Sequence, residues 1–250
     1  MTKSKKYFNL FTEAIKENIW PTRCVICDTQ GKLICDACYK KIQFIDINRS
    51  CKICGEPYGE TQCCSCCLKQ INKVKYKDLT KIWFDKCISA ATLDENTGLI
   101  ITRYKDSGEI RLSMTIAYIL SLYTPKIWKS SKNTLITYIP DTQTAYTKRG
   151  FDHMELIAKH YSKILNIPYV SIFKRPISID QRKLSRQNRN FNMQSKFDIK
   201  NEHFNLLKNT KSIILIDDVY TTGSTLNAAA AQIKKFNIEK INCITFLRTL

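Results

Sequence analysis

Ten cysteines between Cys24 and Cys67 constrain this chain more than any other feature. They fall as CVIC (Cys24, Cys27), CDAC (Cys35, Cys38), CKIC (Cys51, Cys54) and the crowded CCSCC (Cys63, Cys64, Cys66, Cys67). Cys-x-x-Cys lets two thiolates of one turn reach a single tetrahedral zinc, so two such turns complete a four-thiolate site. A disulfide framework rarely uses four successive pairs of this spacing, and an intracellular chain keeps its thiols reduced. Pairing by order assigns Cys24, Cys27, Cys35 and Cys38 to one ion. Cys51, Cys54 and one pair of the CCSCC cluster take a second, and Cys63/Cys66 and Cys64/Cys67 fit the spacing equally. Gly55 suits the tight turn after Cys54. Cys87 and Cys243 stand alone in apolar surroundings and read as core residues. A module this small buries little apolar surface, so the metal is expected to supply most of its folding free energy.

The remaining length, out of 250 residues, leaves room for one larger domain. The expected organisation is an amphipathic helix over residues 1–22, a cysteine-rich module over 23–75 and a main domain over 76–250. The first segment places Phe8, Phe11, Ile15 and Ile19 on one side and has no uninterrupted apolar core, so it reads as a helix and not a signal peptide. No apolar run approaches a membrane span. These features predict a cytoplasmic protein. The net charge of +18, from 40 Lys and Arg against 22 Asp and Glu, attracts polyanions such as nucleic acid and phosphorylated metabolites. The lysines are spread along the chain without a long block, so the charge by itself names no partner. Lys52, Lys69, Lys73, Lys75 and Lys77 surround the cysteines, with Tyr58 and Tyr76 available to stack on bases.

Beyond a lysine-rich linker, the 98–123 stretch predicts two helices split at Asp106-Ser107-Gly108. Asn133 to Pro140 predicts a strand stopped by proline, followed by a polar loop over Asp141 to Lys148. Asp152 and Glu155 have capping-box spacing, opening a helix with Met154, Ala158, Tyr161 and Leu165 on its apolar face. Tyr169 to Phe173 reads as a further strand. The 174–197 region is very basic and aperiodic, a surface loop or arm. Two more strands, SIILIDD and INCITF, flank a helix over Leu226 to Phe236. Strands alternating with helices indicate an α/β fold with a mainly parallel, doubly wound sheet, and such sheets bind ligands beyond the carboxyl ends of their strands.

At that position stands SIILIDDVYTTGSTL, Ser212 to Leu226. An apolar strand runs into Asp217 and Asp218, then Val219 and Tyr220, then the loop Thr221, Thr222, Gly223, Ser224, Thr225. Small residues entering a helix offer backbone N–H groups and the positive helix end to an anion. The loop lacks the lysine of triphosphate-binding loops and so suits a monophosphate. Two acids beside it can accept hydrogen bonds from vicinal hydroxyls, and a phosphate beside a diol is a ribose 5-phosphate. Two adjacent acids at the end of a buried strand cost too much to be decoration.

These residues resemble the phosphoribosyl-pyrophosphate (PRPP) motif of type I phosphoribosyltransferases. The chain from Cys24 to the terminal FLRTL resembles the ComF/GntX family, in which a double zinc-ribbon module precedes such a domain. The resemblance rests on the CxxC pairs, Arg149-Gly150-Phe151, the spaced set Gln181, Leu184, Arg189, Asn192, Phe197, and the phosphate loop. It implies that Thr221 to Thr225 hold the 5-phosphate, that Asp217 and Asp218 hold the ribose hydroxyls, and that the loop from Pro140 and Asp141 to Lys148 and Arg149 faces pyrophosphate with magnesium. It favours Cys64 and Cys67 as the second-site pair. It implies a role in natural competence and DNA uptake, with single-stranded DNA and a DNA-uptake helicase or other competence proteins as partners. Candidate contacts to nucleic acid are Arg182, Lys183, Arg186 and Arg189, interleaved with Phe191. In the pyrophosphate loop Thr144 and Ala145 stand where the family's pattern has arginines, and Asp152-His153 replaces Asn-Gln. Fewer cations there favour PRPP binding over turnover. The alternative is a true transferase acting on a base or amine. His153 is the nearest candidate base, although a histidine at a helix start is expected to be a cap or surface residue.

Overall fold

The computed structural model describes residues 21–57, 67, 81–130, 133–176 and 197–250. The expected N-terminal helix lies almost wholly outside these residues. So do Cys63, Cys64, Cys66, the linker lysines and the arm that carries Arg182, Lys183, Arg186 and Arg189. Four parallel strands form one sheet in the order β1-β4-β3-β2: β1 Lys86–Thr92, β2 Thr134–Tyr138, β3 Ser212–Tyr220 and β4 Lys240–Arg248. Ile213 to Ile216 at the centre of β3 are each 0% exposed. Burying each side chain contributes on the order of 2 kcal/mol.

Side chains alternate across the sheet, as strand geometry requires. Ile88, Ile136, Ile214, Ile216 and Ile244 face one layer; Cys87, Leu135, Ile213, Leu215 and Cys243 face the other. The first layer holds α2 (Glu95–Lys105), α3 (Leu112–Tyr123) and α6 (His153–Leu165), and the second holds α8 (Ser224–Lys234). Helix α2 opens with a reciprocal box, the Asp94 carboxylate accepting from Thr97 N and the Thr97 hydroxyl accepting from Asp94 N. Short helices α1 (Asp36–Tyr39), α4 (Lys126–Ser130) and α7 (Phe204–Lys208) fill the connections. Among the described residues, no helix is long and apolar enough to cross a membrane.

Three expectations need correction. Asp141 to Lys148 is not a loop throughout, because Gln143–Arg149 forms helix α5, capped by the Thr142 hydroxyl at Ala145 N and closed by left-handed Gly150 at φ 76°. Tyr169 to Phe173 does not join the sheet. It makes isolated bridges from Tyr169 to Ile136 and from Phe173 to Ile199. Strand β3 does not stop at the acids but runs through Asp217, Asp218 and Val219 to Tyr220, paired with β4 as far as Arg248.

The cysteine module closes the outer edge of β1. Ile45 N donates to Ala90 O (2.9 Å), Thr92 N to Gln43 O (3.0 Å) and Cys87 N to Ile53 O (2.6 Å). A paired edge exposes no unsatisfied amides. Cys24 and Cys38 pack into the first layer and Cys51, Cys54 and Cys67 into the second, so the two cysteine groups straddle the sheet at one edge. Gly55, at φ +75°, sets the second of them tight against β1, where an added Cβ would stand 2.6 Å from Cys87 O. Gly55→Ala is therefore expected to lower stability by about 1–3 kcal/mol, read as a fall in chemical-denaturation midpoint; an unchanged midpoint would mean that this turn does not seat on β1.

Candidate functional site

The site lies at the carboxyl ends of β2 and β3. Asp217 and Asp218 are buried at 9% and 8% exposure, and their carboxylates accept hydrogen bonds from the following amides, Asp218 N at 2.9 Å and Val219 N at 2.7 Å. Thr221, Thr222 and Ser224 are exposed, Thr225 is half-buried, and the Thr222 and Ser224 hydroxyls lie 2.8 Å apart. Gly223, at φ +72°, is the N-cap of helix α8 and offers no side-chain cap; Ser224 N donates to the Thr222 hydroxyl at 3.4 Å. An added Cβ at Gly223 would stand 2.3 Å from the Tyr220 hydroxyl; the loop rests on that ring.

Opposite this loop, β2 leads through buried Ile139 and Pro140 into Asp141. The Asp152 carboxylate accepts from Met154 N and Glu155 N, starting α6, and a second of its oxygens accepts from Asp141 N and Arg175 Nη2. That cap fixes the next residue, His153, in the interior at 5% exposure. His153 Nδ1 lies 2.7 Å from Asp141 Oδ2 and Nε2 lies 3.2 Å from Asp218 Oδ2. Lys105, at the end of α2, is ion-paired with Asp218, and Arg149 Nη1 donates to Asp141 Oδ1 at 2.8 Å. One chain of ionisable groups, Arg149–Asp141–His153–Asp218–Lys105, thus joins both halves of the site.

Burial is the largest influence on most of these groups. It pushes the Asp217 carboxyl up to about 7, against the pull of Lys105 and with Asp141 adding to the rise. It lowers His153 below the ordinary imidazole range despite Asp141, and it lowers Lys105 despite Asp217. Asp141 shows the opposite balance: burial raises it, but His153 and Arg149 together hold it below the usual carboxylate value.

The residues singled out in the sequence come together in part. Asp217 and Asp218 stand beside the 221–225 loop and within reach of the Asp141 segment. Lys148 is exposed, whereas Arg149 is turned inward to Asp141. Lys105 had no local cue, because a lysine near the end of an amphipathic helix reads as a solvated residue. His153 carried one, the Asp152-His153 departure, but it is interior where a surface position was expected. The carboxylate cap of Asp152 explains the difference.

The two cysteine groups have zinc-like geometry. The Sγ atoms of Cys24, Cys27, Cys35 and Cys38 all lie within 4.8 Å of one another, as do those of Cys51, Cys54 and Cys67. The Cys27–Cys35 separation is 3.6 Å, close to the roughly 3.8 Å between sulfurs of a tetrahedral zinc thiolate. Cys35 N approaches Cys24 Sγ at 3.4 Å and Cys38 N approaches Cys35 Sγ at 3.5 Å, the outer bonds that steady thiolate ligands. Four thiols at this spacing cannot all ionise without a cation. The Thr29 hydroxyl draws Cys27 down to about 6, while burial and the neighbouring thiols push Cys38 up to about 12.

Comparisons with known proteins match two parts of the chain. A phosphoribosyl transferase domain matches residues 155–249 and a double zinc ribbon domain matches residues 15–68. The match and the thiol geometry support zinc. Competence protein F of Haemophilus influenzae is 27% identical over 239 residues, 90% of this chain and 96% of that protein. Competence protein ComFC of Bacillus subtilis is 23% identical over 90% of this chain and 95% of its own length. ComFC of Streptococcus pneumoniae is 22% identical over 90% of this chain and 100% of its own.

The Asp217 shift carries a sign. A carboxyl raised from 3.8 to about 7 keeps its proton in the folded chain and loses it in the unfolded one. Its contribution is full below about pH 4 and is lost as pH rises through about 7. Asp217→Asn is expected to gain stability over wild type progressively between pH 4 and pH 8, by about 4 kcal/mol at most. Denaturation at a series of pH values checks it, and a difference that does not vary with pH would refute the assignment.

Proposed function

We propose, for a chain that belongs with the ComF-like competence proteins by its zinc ribbon, its phosphoribosyl transferase domain and its likeness to competence proteins F and ComFC, that it binds PRPP or another ribose 5-phosphate. The observation that carries this reading is the buried acid pair Asp217–Asp218, held three residues before a hydroxyl-rich loop that runs into a helix N-terminus at the carboxyl edge of a parallel sheet. Asp217 and Asp218 accept the ribose hydroxyls. Thr221, Thr222, Gly223, Ser224 and Thr225 take the phosphate, with Val219 and Tyr220 beneath them. Pro140, Asp141, Lys148 and Arg149 border the side where pyrophosphate and magnesium would lie.

Zinc is held by Cys24, Cys27, Cys35 and Cys38, and by Cys51, Cys54, Cys67 and Cys64, which lies outside the described residues. Zinc makes the ribbon rigid; the chain's own residues orient the ligand. Binding fits better than turnover, because Arg149 is engaged by Asp141 and therefore less available to a departing pyrophosphate. The protein acts in the cytoplasm, in DNA uptake with a helicase or other competence proteins, and contacts single-stranded DNA through Arg182, Lys183, Arg186 and Arg189.

Two measurements test the reading. Calorimetric titration of Mg-PRPP into zinc-loaded protein is expected to show binding that Asp217→Ala/Asp218→Ala abolishes; no heat from wild type, or equal heat from both, defeats the ribose-phosphate site. An oligonucleotide bound through several cations should lose affinity steeply between about 50 and 200 mM salt, and replacing the four arm residues by alanine should flatten that slope. A slope unchanged by the substitutions removes the arm from the interface.

A further inference from the structure

The last residues of β4 connect the second cysteine turn to the phosphate loop. Arg248 is 2% exposed, and both of its terminal nitrogens point to the ribbon: Nη1 donates to Cys54 O at 2.6 Å and Nη2 to the Glu56 carboxylate at 2.6 Å. Nη2 also lies 3.9 Å from Cys54 Sγ. Nε is buried without a partner among the described residues, so solvent and further hydrogen bonds do not orient this side chain. The guanidinium instead lies over the Tyr220 ring, 4.1 Å from its centroid. Tyr220 is the β3 partner of Arg248 in the sheet and accepts from Thr249 N at 3.0 Å. Its far end meets Gly223, where only a hydrogen fits in place of a side chain.

A continuous stack therefore runs from Cys54 and Glu56 through Arg248 and Tyr220 to Gly223, the first position of the loop's helix. Cys54, Arg248 and Tyr220 are buried, Glu56 is partly exposed, and the guanidinium sits where a zinc thiolate centre would concentrate negative charge. A buried arginine held in one plane by two separate acceptors at one end fixes the height and tilt of the ring stacked on it. The ring in turn sets where the backbone of the loop can lie.

We infer that Arg248 is a positioning residue through which the second cysteine turn supports the phosphate loop. The ribbon is then part of the ligand site's framework, beyond being a neighbouring module. The link itself is independent of what the loop binds; only its consequence for PRPP affinity rests on the ribose-phosphate reading.

The test is backbone hydrogen exchange on the zinc-loaded full chain with Arg248→Met, Arg248→Lys and Tyr220→Leu. The reporters are Asn227 N, which donates to Gly223 O at 2.9 Å, Gly55 N, which donates to Cys51 O at 3.0 Å, and the amides of β2 as a control. Arg248→Met should speed exchange at both Gly55 and Asn227 by at least about tenfold while β2 keeps its protection. Tyr220→Leu should speed Asn227 and leave Gly55 unchanged, because it breaks the stack beyond the arginine. Arg248→Lys should fall between wild type and Arg248→Met, since a lysine keeps the charge and loses the planar grip. Wild-type protection of Asn227 in Tyr220→Leu overturns the inference even if Arg248→Met fails to fold, as does loss of β2 protection in step with Asn227. In a parallel titration, Mg-PRPP should bind Arg248→Met and Tyr220→Leu about tenfold more weakly than wild type. Should wild type itself not bind Mg-PRPP, the ribose-phosphate reading fails while the exchange result still decides the link.

Discussion

The structure depends on how the open edge of β1 is satisfied. An edge strand of a parallel sheet exposes a row of amides and carbonyls, and in this chain the cysteine module pairs with them through Gln43, Ile45 and Ile53. The module in turn packs its buried residues Cys24, Ile34, Cys38, Ile42, Cys51 and Cys54 into the two layers beside the sheet. Each half therefore completes the other: the sheet supplies a hydrogen-bonding edge and two core faces, and the ribbon covers that edge. Because one cysteine group packs on each face, the ribbon cannot swing away without opening both layers.

That arrangement bears on the charged site at the other margin of the sheet. Asp141, His153 and Asp218 are buried beside one another, which burial alone would make costly. Arg149 pairs with Asp141 and Lys105 with Asp218 at the two ends of this chain, and each pairing offsets part of that cost. Asp217 is the exception. It is buried and raised to about 7, although Lys105 pulls it the other way. A carboxyl held in this condition at the end of a central strand is destabilising for the fold near neutral pH, the condition expected where stability is given up for function.

Much of this was legible in the residues. The apolar run Ile213 to Ile216, the acids after it and the glycine-containing turn specify a strand, a site and a helix within fifteen residues, because each depends on local chemistry. The CxxC spacing likewise reports local geometry. What was not legible depends on distant partners. Tyr169 to Phe173 has strand-like residues, yet it makes only isolated bridges, one to Ile136 of β2 and one to Ile199, a matter of tertiary register. Lys105 and His153 reach Asp218 from α2 and α6, separated from it by more than sixty residues of chain in each case, and no periodicity encodes that meeting. The buried role of Arg248 escaped for the same reason: FLRTL reads as a basic end to a strand.

On the proposed reading, these long-range partners are what would separate a sugar-phosphate site from a generic helix N-terminus. The loop over 221–225 contains no cation, and an exposed hydroxyl cluster at a helix start is common in α/β folds. Its selectivity must come from what surrounds it. On one side the Asp217–Asp218 pair supplies acceptors for hydroxyls, tied through His153 to the Asp141 segment. On the other, Tyr220 and Arg248 fix the floor of the loop against the ribbon. A free monophosphate would use only the loop, whereas a ligand carrying both a phosphate and a diol would engage the loop and the acids together. Rigidity on both sides raises the affinity for such a two-part ligand, since the distance between its two groups is then set in advance and little ordering remains to be done on binding.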